Sequence, residues 1–333
     1  MRVTVLGGTR FIGVAVVKEL LAAGHEVSVA HRGVSERDDA PQAPHVHVDR
    51  HDRDGLRAAL KAFRAEAVVD TNAYTRADAE DALAALDGRA AVVLSSCDVY
   101  RAFATLLADA SARAGAGPTD AVPLSEDAAM RGPQQRYLFR GEIHPAGVDT
   151  QDYENLDVED VVLQAGATVL RLGVVYGARD PVRREEFILR RVRAGRRQIP
   201  FGTGTFLWSR CWVRDVAVAV RLALETGAGA GQALNVAEPA TWSMQQWARE
   251  ILAAAGSDAE LVRVPDTALP DDLALTGAVA QHVLIDSTRT RTQLGWSTTD
   301  PTEALQASVA WHLAHPPPGA TDLAADDHAL TQN

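Results

Sequence analysis

Residues 7–13 read Gly7, Gly8, Thr9, Arg10, Phe11, Ile12 and Gly13, set between the run Val3-Thr4-Val5-Leu6 and a stretch where Ile12, Val16, Leu20 and Ala23 recur at helical spacing. A strand that enters a glycine turn and leaves it as a helix is the opening unit of a parallel sheet. Gly7 permits the tight turn, Gly8 lets backbone approach a phosphate, and Gly13 lets the helix pack close to the strand. A pyrophosphate fits at that helix N-terminus, where free N–H groups and the dipole favour an anion. All seven residues are therefore expected to cradle a dinucleotide.

The same alternation continues through EVSVAH, VHVD, AVVDTNA and AVVLSS, two of these runs, VHVD and AVVDTNA, leading into helical stretches. Repeated βα units with right-handed crossovers predict an α/β fold: a Rossmann-type doubly wound parallel sheet with a smaller C-terminal α/β substrate lobe. The expected organisation is a nucleotide domain over 1–176, in which the Gly- and Pro-punctuated stretch 101–152 is a long loop or lid. A substrate lobe interleaved with late Rossmann elements follows over 177–315. The tail 316–333 contains a triple proline and is expected to be poorly ordered.

Among 333 residues, 47% are hydrophobic and 23% charged, and no apolar run approaches the ~18 residues of a membrane span. A formal net charge of −11 argues against nucleic acid as a partner, since such binding leans on a positive surface field. Cys97 and Cys211 make no CxxC pair, so a reduced, cytoplasmic setting is expected.

The end of the second strand selects the nicotinamide cofactor. An acidic residue there would bond the ribose hydroxyls and repel a 2′-phosphate, whereas this chain has His31 and Arg32 before Gly33. Arginine is always charged and makes forked hydrogen bonds, so NADP(H) is preferred over NAD(H), with Arg10 and Arg32 closing on the 2′-phosphate from two sides. His45, His47 and Asp49 share one face of the third strand by period two. Without a further ligand they read as ordinary strand residues, and no metal is expected.

Five segments, GGTRFIG, VVLSSCDVY, LRLGVVYG, WVRDVAVAV and LIDSTRTRTQLGW, together resemble the extended branch of the short-chain dehydrogenase/reductase superfamily, the NAD-dependent epimerase/dehydratase family, in an atypical subgroup. The resemblance implies that Asp49 meets the adenine amino group and that Asn72, Ala73 and Tyr74 lie beside the ribose and nicotinamide. It implies Ser96 as the serine that hydrogen-bonds the reacting oxygen and Tyr153 as the proton-transferring tyrosine. The lysine of such sites falls on Asp157, and Asn155 is no substitute for it. Lys18 and Lys61, the only lysines, lie in other segments. Tyr137 is a second candidate tyrosine.

A negative charge beside a tyrosine raises its pKa, which favours a neutral proton donor and hence reduction. The resemblance also makes Asp98 either an acid/base group of epimerase or dehydratase type or a structural carboxylate, and places Arg210 toward an anionic substrate group. Phe187 and Trp208 are expected to wall an apolar substrate pocket, with Cys97 a packing residue. A small-molecule substrate and a homodimer are implied. Three readings follow: a carbonyl reductase using Ser96 and Tyr153, a nucleotide-sugar epimerase or dehydratase using Asp98, and a non-catalytic NADP(H)-binding sensor or scaffold.

Overall fold

A computed structural model describes residues 1–36, 41–107, 120–135, 152–319 and 321–332. Strand β1 (Arg2–Leu6) passes through the glycine turn into α1 (Phe11–Ala22). Then come β2 (Glu26–His31), β3 (His45–His47), α2 (Arg53–Phe63), β4 (Ala67–Asp70), α3 (Arg76–Leu86), β5 (Ala90–Ser96) and the short α4 (Arg101–Ala104). The later chain supplies α5 (Asn155–Gln164), β6 (Thr168–Leu172), β7 (Val174–Tyr176), α6 (Glu186–Arg193), β8 (Gln198–Phe201), β9 (Arg210–Trp212), α7 (Val213–Thr226) and β10 (Ala233–Val236). It closes with α8 (Met244–Ala254), β11 (Glu260–Arg263), α9 (Thr288–Leu294), α10 (Pro301–Ala314) and α11 (Ala324–Leu330). Residues 108–119 and 136–151 of the expected lid, Tyr137 among them, lie outside the described residues.

Seven strands form one sheet in the order β10-β6-β5-β4-β1-β2-β3, and every neighbouring pair is parallel. Strand alternation sends Val5 and Val29 toward Val16 and Val17 of α1 and Val216 and Val220 of α7. Leu6, Ala30 and Val68 face the other way, against Leu56 and Leu60 of α2 and Leu86 of α3. Helices on both faces make the sheet doubly wound, as expected. Each buried leucine or valine contributes about 1.5–3 kcal/mol relative to exposure. Strand order reverses between β1 and β4, and ligands of such sheets sit at the carboxyl ends beside that reversal. Among the described residues no helix is long and apolar enough to cross a membrane.

Two small parallel pairs, β8 with β11 and β7 with β9, build the C-terminal lobe. Contrary to the expectation for 316–333, this segment contains α11 and docks it through charge. Arg191 is fully buried and binds Asp326 at 2.6 and 2.7 Å, with Asp272 at 2.7 and 3.1 Å on its other side. Arg196 pairs with Asp327 at 2.5 and 2.9 Å. The prolines end α10; they do not prevent a later helix from finding partners.

Removing one partner of a buried charge is costly because it strands the other. Asp326→Ala is therefore expected to lower stability by about 3 kcal/mol in urea unfolding. An unchanged midpoint would show that the Arg191 contact does not hold the tail.

Candidate active site

The glycine turn has the shape of a cradle. Gly7 adopts φ +85°, and a Cβ there would lie 2.5 Å from Asn72 Oδ1; a Cβ on Gly13 would overlap the Gly7 carbonyl oxygen. Arg10 occupies the N-cap of α1 without a side-chain hydrogen bond to it. The neighbouring helices are closed, α2 by Asp52 and α3 by a Thr75–Asp78 capping box. The α1 terminus therefore keeps donor capacity for an anion. Thr9 is buried, its hydroxyl 2.6 Å from that of Ser35 in the turn after β2. Phe11 and Ile12 are half-buried and packed on the core.

At the end of β2, His31 is buried and its Nδ1 accepts from the Gly33 amide at 3.0 Å. Burial, followed by the charge of His45, holds its pKa below the ordinary imidazole value. Arg32 is exposed, and so is Arg10, whose charge is felt by Tyr74. Asp49 is exposed and accepts from the His51 amide at 2.9 Å.

The carboxyl end of β4 is fixed by a residue that the sequence reading passed over. Arg50 binds Asp70 at 2.6 Å, the Asn72 carbonyl at 2.8 Å and Asp78 at 3.0 Å. It thereby pins Asn72, the buried Ala73 and Tyr74 in one strand exit. Burial and then the Asp70 charge push the Tyr74 phenol up to about 12.

Tyr74 stacks on Tyr153, ring centroids 5.8 Å apart, and so joins the cradle to the candidate catalytic group. Strand β5 delivers Ser96, whose Oγ accepts from the Asp98 amide at 3.2 Å and caps the turn Cys97–Val99. This turn carries Asp98 into the interior. The Tyr153 hydroxyl donates to Asp98 Oδ2 at 2.8 Å. The Asn155 amide donates to the Tyr153 oxygen at 2.9 Å and to both Asp98 oxygens at 3.1 and 3.2 Å.

Asn155 therefore touches the tyrosine oxygen directly. It supplies a hydrogen bond without a charge. Asp157, at the lysine's place in the sequence, forms an ion pair with Arg76 at 3.6 Å. Beside Tyr153 the negative charge is Asp98.

Burial pushes the Asp98 carboxyl up, opposed by Arg131 and by the hydrogen bonds from Tyr153 and Asn155. Burial, then the Asp98 charge, raises the Tyr153 phenol well above its ordinary value. Arg131 makes a buried fork to Glu154 at 2.6 and 2.9 Å and donates to the Asp98 carbonyl at 2.5 Å. Glu154 in turn caps α5 by accepting from Leu156 N at 3.0 Å. Neither Arg131 nor Glu154 carried a sequence signal, because one lies in the irregular stretch and the other looks like any helix-start acid. Cys97 is buried and its thiol is pushed up to about 12 by burial, which suits packing and not nucleophilic attack.

A cavity of about 340 Å³ in the C-terminal lobe is lined by Phe187 and Trp208, with Trp247 and Met244, by Arg183, Arg184 and Arg190, and by the carboxylates of Glu186 and Asp272. Trp208 Nε1 and Arg184 Nε are buried without a hydrogen-bond partner among the described residues. The Arg184 charge is felt by Cys97, and Trp208 lies 6.2 Å from Phe103 of α4 between ring centroids, so this cavity adjoins the turn Cys97–Val99. Arg210 does not line it. Its guanidinium lies 3.7 Å from the Trp247 ring centroid and donates to the Trp242 carbonyl at 3.1 Å, and burial lowers its pKa to about 10. Strand β9 turns this side chain inward, leaving the arginines of 183–190 as the lining cations.

Known proteins share this fold. The model of the NAD dependent epimerase/dehydratase family matches residues 3–139 and 151–237. A 3-diazoavenalumate denitrifying reductase of Streptomyces is 31% identical over 318 residues, covering 90% of this chain and 97% of its own. A 2′-dehydrokanamycin reductase of Streptomyces kanamyceticus is 31% identical over 182 residues, 53% of this chain and 43% of its own. In fold, the chain is similar to a UDP-glucose 4-epimerase of Stenotrophomonas maltophila solved with NAD and formylated UDP-arabinopyranose. The TM-score is 0.71 at 20% identity, over 94% of this chain and 98% of that one. The chain belongs to the NAD-dependent epimerase/dehydratase family and is an NAD(P)-dependent enzyme of the short-chain dehydrogenase/reductase type.

Proposed function

We propose that this protein is an NADP(H)-dependent reductase of a small organic carbonyl compound, with Tyr153 as proton donor and Ser96 orienting the substrate oxygen. The observation that carries this reading is the buried hydrogen-bonded group of Tyr153, Asp98 and Asn155. Burial and a neighbouring carboxylate keep the phenol protonated, so it can act as an acid at neutral pH and is a poor base.

NADPH, when bound at the glycine turn, supplies the hydride. As the carbonyl carbon gains that hydride, the C=O π pair moves to oxygen, and the Tyr153 hydroxyl passes its proton to it. Asn155 steadies the phenolic oxygen while the charge is there. Asp98 stays the carboxylate that accepts from Tyr153, and the phenolate left after transfer regains its proton from water once product departs. Both Asp98 oxygens accept from Tyr153 and Asn155, which supports a role in holding the tyrosine over direct action on a substrate carbon. The two curated relatives are named as reductases, which supports the same direction.

Arg32, exposed at the end of β2, supports NADP(H) over NAD(H), with Arg10 as the second cation. The aromatic walls of the cavity favour a flat substrate, while its arginines are offset by Glu186 and Asp272, which pair with Arg183 and Arg190 at 3.4 and 3.2 Å.

NADPH is expected to bind at least about tenfold tighter than NADH, about 1.4 kcal/mol, and Arg32→Ala to narrow the gap, both read by equilibrium titration. Tighter NADH binding would contradict the cofactor assignment. With a carbonyl panel and NADPH absorbance as readout, Tyr153→Phe should lower kcat by ~10²-fold or more at little change in KM. Unaltered turnover in that variant would remove Tyr153 from the mechanism. Retained cofactor with substrate conversion but no net redox change would favour the epimerase reading.

A further inference from the structure

We propose that His31, Glu36 and His45 form a binding site for one divalent transition-metal ion of the zinc class. The site lies at the sheet edge beside the nucleotide cradle. Strands β2 and β3 pair in register with His31 opposite His47 and Val29 opposite His45. Lateral neighbours and residues two apart share a face, so three imidazoles project on the side where Val29 meets α1. A strand covered by a helix ordinarily places apolar side chains there.

Instead the rings crowd together, His31 lying 4.9 Å from His45 and 5.1 Å from His47 between centroids. The turn after β2 then brings Glu36 back onto them. Its Oε1 lies 3.2 Å from His31 Nε2 and 3.5 Å from His45 Nδ1, and it is also bonded to His47 Nε2. His31 Nε2 and His45 Nδ1 are 2.7 Å apart.

Three potential ligand atoms from three chain segments thus lie within 4.8 Å of one another. A tetrahedral zinc site with bonds of ~2.0–2.1 Å places its ligand atoms about 3.3 Å apart. The two contacts of Glu36 already have that spacing. The shorter His31–His45 separation is a hydrogen bond, and an ion would take the place of its proton. Two imidazoles and a carboxylate are a common zinc donor set, and His47, exposed on the far side of Glu36, or water can complete it.

The Gly33 amide points at His31 Nδ1, which places the ring proton on Nε2 in the metal-free protein. Metal on Nε2 moves that proton to Nδ1, and the Gly33 amide must then turn away. Glu36 is the ligand that the histidine spacing of β3 could not reveal, because it comes from another segment. Strand β3 is only three residues long, and an ion held between β2, β3 and the turn would pin this edge.

The test uses tag-free, full-length protein stripped with chelator and titrated with Zn(II) by calorimetry and with Co(II) by visible absorption. The wild type is expected to take up one ion per chain with a tetrahedral Co(II) spectrum. Glu36→Gln and His45→Ala should each weaken Zn(II) binding by at least ~10-fold. His51→Ala, outside the cluster, should leave it unchanged. The exposed Glu36→Gln decides the matter if His45→Ala does not fold. Lack of saturable Zn(II) uptake, or uptake insensitive to Glu36→Gln, would overturn the proposal, as would loss of uptake in His51→Ala.

Discussion

The hydrogen bond from the Tyr153 hydroxyl to the buried Asp98 carboxylate decides what this site can do. It needs a turn that carries Asp98 inward, a helix that presents Tyr153 at its start, and a clamp between the two. Ser96 caps the turn, Glu154 caps the helix, and the Arg131–Glu154 fork closes the clamp. A lysine close to a tyrosine would lower its pKa and make a base of it. Here an amide and a carboxylate lie beside the phenol, and burial with the Asp98 charge raises its pKa.

Much of the fold was legible because it rests on local pattern. Alternating β-branched runs and the strand–turn–helix of residues 2–22 specify the parallel sheet, and steric limits at Gly7 and Gly13 specify the turn. What escaped was long-range polar pairing. Arg50, Arg131 and Arg191 look like ordinary surface arginines in sequence, yet each is buried or nearly so against two carboxylates or a carboxylate and backbone. The tail is the plainest case: its composition suggests a frayed end, and Asp326 finds a partner 135 residues away. Asn155 carries no charge to mark it, and only the fold shows its amide against the Tyr153 oxygen.

The substrate side shows the same division. Phe187 and Trp208 were readable as aromatic walls and do line the cavity. Arg210 was carried over by resemblance, whereas the rotation of β9 stacks it against Trp247. Position in a motif does not determine which way a side chain points. Trp208 Nε1, which has no hydrogen-bond partner among the described residues, lies in the lining of this cavity.

The central claim is that Tyr153 is a neutral phenol at working pH. Ultraviolet difference titration of the wild type against Tyr153→Phe isolates its ionisation. The account predicts that no tyrosinate absorbance from Tyr153 develops up to pH ~10, the ordinary tyrosine value. Tyrosinate absorbance appearing near neutral pH would contradict it and return the site to base catalysis.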